Sequence, residues 1–157
     1  MSVIRKDLLD ILQETYALNW MGIHGVRHWA RVRHNGLRLA RQTGAKTEVV
    51  ELFAFFHDLG RLNDGRDPLH GARSAGYAED LAGRAFELKP DDLELLLVAC
   101  RDHTNGSVVG DVTVLTCWDA DRLDLGRVGK KPDPQRLCTA AARDLALLAW
   151  AYRRSLR

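Results

Sequence analysis

Residues 47–61, TEVVELFAFFHDLGR, decide the fold. From Val49 to Phe56 apolar side chains crowd every side of the segment, too many for one amphipathic stripe. It therefore reads as a helix buried in the middle of a core. Its β-branched and aromatic residues would also suit a strand. The length and the stop at Gly60 favour a helix from about Glu48 to Leu59. Two polar residues, His57 and Asp58, stand at the end of this element. A carboxylate taken out of water without a partner is costly, so buried ones are normally paired or metal-bound.

The flanking sequence repeats the helical period. Leu8, Ile11, Leu12 and Tyr16 share a face of a helix from about Val3 to Ala17. Trp29, Val32, Gly36, Leu39 and Ala40 do so from Val26 to Thr43, where Gly44 supplies the stop. After the turn-rich RLNDGRDP, Pro68 suits the first position of a fourth helix with Asp67 as its cap, running to about Leu81. Asp91 and Glu94 form a capping-box pattern ahead of a fifth. A sixth runs from about Val112 to Leu125. A last one opens at Pro134, with Leu137, Ala141, Leu145 and Leu148 in one stripe. Val108–Val114 is the one stretch with any sustained strand alternation. The expectation is an all-α bundle of six or seven helices in one domain spanning residues 1–157.

Composition narrows the function classes. The 157 residues are 46% hydrophobic and 28% charged, which excludes a disordered or collagen-like chain. No apolar run approaches the roughly 20 residues that cross a bilayer. Asp7, Asp10 and Glu14 interrupt the N-terminus where a signal peptide needs an apolar core. Cys100, Cys117 and Cys138 are odd in number with no close pair, so a cytoplasmic, reduced setting is expected. A net charge of +2 gives no reason to expect a nucleic-acid partner. The apolar faces of the first and last helices leave a homodimer open.

Histidine and aspartate recur on the apolar faces of different helices. His28 lies one turn before Val32, His103 on the row of Leu96 and Cys100, and Asp121 on the row of Val114 and Trp118. Helix bundles build metal sites in this way, one or two inward ligands from each of several helices. Imidazole with carboxylate suits divalent ions such as Mn, Mg, Co, Fe, Ni or Zn.

The ordered set His28, His57-Asp58, Asp121 resembles the H…HD…D signature of the HD-domain superfamily. HWARV is similar to its first motif, AFFHDLGR to its second and WDADRLD to its last. The resemblance covers about residues 24–128. It implies an all-α fold and a metal-dependent phosphohydrolase acting on a nucleotide or other small phosphoester. His28, His57, Asp58 and Asp121 would be the metal ligands, with Asp119 an alternative to Asp121. Asp58 would also hold the attacking water. Arg61 follows the second motif where phosphate would be gripped, and Arg66 and Arg73 flank His70 as further substrate-binding candidates. His70 and His103 are expected to hold a second ion or to bind phosphate. His24 reads as a capping or supporting residue, His34 as peripheral, and Lys130 and Lys131 as surface charges. Extra histidines also leave open a di-iron oxygenase, and a non-catalytic ligand sensor is a third reading.

Overall fold

The computed structural model describes residues 1–157. Seven α-helices follow one another: α1 Lys6–Thr15, α2 Val26–Thr43, α3 Thr47–Phe56, α4 His70–Leu81, α5 Pro90–Asp102, α6 Val112–Arg122 and α7 Leu145–Ser155. Two 3-10 turns, Leu125–Val128 and Pro134–Arg136, lie between α6 and α7. There are no strands, only one isolated bridge between Ala82 and Phe86. No helix is long and apolar enough to cross a membrane.

The all-round apolar segment is the central element. Val49, Leu52, Phe53 and Phe56 of α3 are fully buried, and α2, α4, α5 and α6 pack around it. The charged exception, Glu51, accepts hydrogen bonds from Arg33 Nε (2.6 Å) and Ser2 Oγ (2.7 Å), which satisfies its buried carboxylate. On α1, Leu8 and Leu12 turn inward, and Tyr16 meets Trp29 edge to face at 5.1 Å. Leu147 and Ala151 bury the inner face of α7, whereas Leu145 is exposed.

Helices α4 and α5 approach closely because residue 71 has no side chain. A Cβ there would lie 2.6 Å from the Arg101 carbonyl oxygen and 2.8 Å from that of Cys100. Backbone cannot yield as a flexible side chain can. Gly71→Ala should therefore force the two helices apart and cost about 1–3 kcal/mol, typical of overpacking. A thermal melt beside wild type checks this, and an unchanged Tm would contradict it.

Several expected boundaries differ. Helix α1 is shorter than Val3–Ala17, and α4 starts at His70 rather than Pro68. Asp67 does not cap α4; its carboxylate accepts from the Leu62 amide (2.8 Å) and pairs with Arg73. The capping box at Asp91 and Glu94 does not form, because Pro90 already opens α5 after Lys89. Of residues 108–114, the first four are irregular and the rest begin α6, with Asp111 accepting from the Thr113 amide at 2.7 Å. The expected helix from Pro134 is broken at Leu137. Asp119 accepts from the Cys138 amide (2.7 Å), the Thr139 amide (2.9 Å) and the Thr139 hydroxyl (2.7 Å). These bonds offer the chain an alternative to helix, and α7 starts only at Leu145 under an Asp144 cap.

Candidate metal centre

Six polar residues from five places in the fold converge around α3. His28 lies in the first turn of α2, and His57 and Asp58 follow α3. His70 is the first residue of α4, His103 follows α5, and Asp121 is in the last turn of α6. All are buried except Asp121, whose side chain is 16% exposed.

The histidines share one arrangement. Nδ1 of His28 lies 2.6 Å from Asp124 Oδ2, and Nδ1 of His57 lies 3.1 Å from the carbonyls of Phe53 and Ala54. Nδ1 of His70 lies 2.6 Å from the Asp67 carbonyl, and Nδ1 of His103 lies 2.7 Å from the Cys100 carbonyl. Each of these partners is an acceptor, so in the neutral imidazole each Nδ1 carries the proton and donates it. Each Nε2 is then left with a lone pair, and the four lone pairs face inward. His28 Nε2 is 3.0 Å from His57 Nε2, and His70 Nε2 is 2.9 Å from His103 Nε2. Two facing lone pairs at such distances need a cation between them.

Asp58 lies between the two histidine pairs. Its Oδ2 is 3.5 Å from Nε2 of both His28 and His57. Its Oδ1 is 3.1 Å from His70 Nε2 and 3.5 Å from His103 Nε2. Asp121 Oδ1 joins the first pair, at 3.3 Å from His28 and 3.5 Å from His57. His28, His57 and Asp58 could hold one ion, and Asp58, His70 and His103 another. The donor set fits divalent metals in both places. The electrostatics agree. Burial favours a neutral carboxyl, yet His57 and His103 hold Asp58 well below the usual carboxylate range, with His24 and His28 contributing. Burial also favours neutral His28, and Arg127 adds to this, but Asp121, Asp124 and Asp58 together push it up to about 9. The cluster thus draws positive charge to the place where a cation would sit.

Other expected residues have different surroundings. Asp119 is spent on the 138–139 turn, so Asp121 is the aspartate that faces the cluster. His24 is buried, with Nδ1 3.2 Å from Asp58 Oδ2. Arg61 donates from Nε to Asp58 Oδ1 (3.1 Å) and from Nη1 to the Gly65 carbonyl (3.1 Å), so most of its fork is engaged. Arg73, expected to grip phosphate, is instead tied to Asp67 and to the Gly60 carbonyl (2.7 Å). Arg66 is exposed on the loop after α3. His34 is exposed and accepts from Arg154 at 2.7 Å.

Sequence reasoning missed two supports. Ser74 Oγ donates to the His57 carbonyl (2.7 Å) and accepts from the Gly60 amide (3.0 Å), which fixes the turn carrying Asp58. Asp124, fully buried, orients His28 and is itself bound by Arg31 Nε at 2.8 Å. Its place three residues after Asp121, within the helix expected to run to Leu125, was the available signal.

No protein-family model and no curated protein matches the chain. Among solved structures it is similar to a predicted HD superfamily hydrolase from an uncultured Thermotogales bacterium. The TM-score is 0.72 at 23% identity, over 96% of this chain and 86% of that one. This likeness is one of fold: the chain shares the all-α helical fold of that structure.

Proposed function

We propose that the chain is a metal-dependent phosphohydrolase acting on a nucleotide or another small phosphoester. One ion would be held by His28, His57, Asp58 and Asp121, and a second by Asp58, His70 and His103. The observation that carries this reading is the placement of Asp58, each oxygen of which faces its own pair of histidine Nε2 atoms. Divalent ions so held would polarise a phosphoryl oxygen and supply a nucleophilic water near neutral pH. The protein's part is to keep the donors in place. The outward Nδ1 bonds fix each imidazole, and Arg61 and His24 restrain the Asp58 carboxylate. In this reading Arg61 is a positioning residue that acts through Asp58. The name of the structural neighbour, a hydrolase, supports the same chemistry.

The test is turnover of a phosphoester panel with Mn²⁺, Mg²⁺ or Co²⁺, alongside metal analysis of freshly purified protein. Release of phosphate or nucleoside, lost in a folded His57→Ala variant, is expected. Bound iron with O₂ consumption and no phosphoester turnover would replace the reading with an oxidative one.

A further inference from the structure

A cleft of about 550 Å³ opens directly beside the candidate centre. His103 forms part of its wall, which continues through Thr104, Arg122, Lys130, Lys131 and Arg136. Arg122 holds the two sides together. Its Nη1 donates to the Arg136 carbonyl and its Nη2 to the Ser107 carbonyl, each at 2.8 Å. Lys130, Lys131 and Arg136 are exposed, and none of them is paired with a carboxylate. The single acid of the wall, Asp133, accepts from the Gln135 amide at 2.9 Å. Pro132 and Pro134 restrict the segment that carries the cations.

Three exposed cations without a carboxylate partner, one of them (Lys131) resting 5.6 Å from the Tyr152 ring, border a cleft that meets the centre at His103, and together they suit an anion longer than a single phosphoryl group. We infer that the cleft binds a second phosphate of the substrate, so that the favoured substrate class is a small phosphoester carrying at least two phosphates. The inference rests on the phosphohydrolase reading of the centre and names the substrate class for it. It gives Lys130 and Lys131 a role that their sequence context, read as surface charge, did not disclose.

The test is calorimetric titration of metal-loaded protein with orthophosphate and with tripolyphosphate. Wild type is compared with Lys130→Ala/Lys131→Ala/Arg136→Ala and with Arg41→Ala, exposed on α2, as a cation-loss control. Three exposed charge contacts together predict roughly a tenfold loss of tripolyphosphate affinity in the triple variant. Orthophosphate affinity and bound metal should stay unchanged, and Lys130→Gln alone should give a smaller loss in the same direction. Tripolyphosphate affinity equal in wild type and triple variant, or reduced as much by Arg41→Ala, would overturn the inference. A cleft effect in protein that turns over no phosphoester would sustain the cleft and remove the hydrolase reading. Turnover with no cleft effect would do the reverse.

Discussion

Asp58→Asn should abolish metal binding at both candidate sites at once, whereas His70→Ala should affect only one. The asymmetry follows from position. Asp58 Oδ2 serves the His28–His57 pair and Oδ1 the His70–His103 pair, while His70 reaches only Oδ1. An amide of the same shape keeps one acceptor oxygen and turns an NH₂ group toward the other pair of lone pairs. It also removes the negative charge that both sites share. Loss of an electrostatic stabiliser at a reacting centre costs roughly 10²–10³-fold in rate, and loss of a shared ligand should cost at least that. Metal stoichiometry by mass spectrometry and turnover on the responsive phosphoester are the readouts, with circular dichroism confirming the fold. Two ions retained in Asp58→Asn would show that Asp58 is not shared between sites.

What could be read from the sequence was what depends on local chemistry. Helix α2 is bounded in the structure where its periodicity and Gly44 place it, because Gly44 adopts the left-handed conformation (φ 75°) that ends a helix. The burial of His28, His57, Asp58 and His103 followed from their positions on apolar faces, since a helix fixes which residues share a face. What depends on distant partners was hidden. Asp67 has the composition of a cap, but Arg73 and the Leu62 amide claim it. Asp119 and Asp121 are two residues apart in one helix. They face different ways, which already put Asp121 on the row of Val114 and Trp118, but the 138–139 turn that takes Asp119 was not legible. Arg73 looked free for phosphate because the loop that occupies it folds back from the preceding segment. Lys130 and Lys131 acquire meaning only when the loop after α6 is laid against His103.

Asp124 bears the second large expectation, and it concerns affinity more than rate. Its carboxylate accepts from His28 Nδ1 at 2.6 Å through Oδ2, and from Arg31 Nε at 2.8 Å through Oδ1. The His28 contact fixes the tautomer that turns Nε2 toward Asp58 and Asp121. Asparagine has one acceptor oxygen for these two donors. If the oxygen stays with His28, the amide NH₂ opposes Arg31, and if it serves Arg31, the NH₂ opposes the Nδ1 proton of His28. Either way the imidazole loses its restraint. Asp124→Asn should therefore weaken metal binding by about 10–100-fold, as changes to groups that orient a metal ligand do. At saturating metal much of kcat should return, because no donor atom facing the ion has been removed. Asp124→Ala goes further. It leaves Arg31 and His28 without their buried partner and should destabilise the fold by about 3–5 kcal/mol. Chelator competition separates the two effects when run beside denaturant unfolding. Metal affinity unchanged in Asp124→Asn would mean that backbone packing alone orients His28, and that the carboxylate serves only to neutralise Arg31.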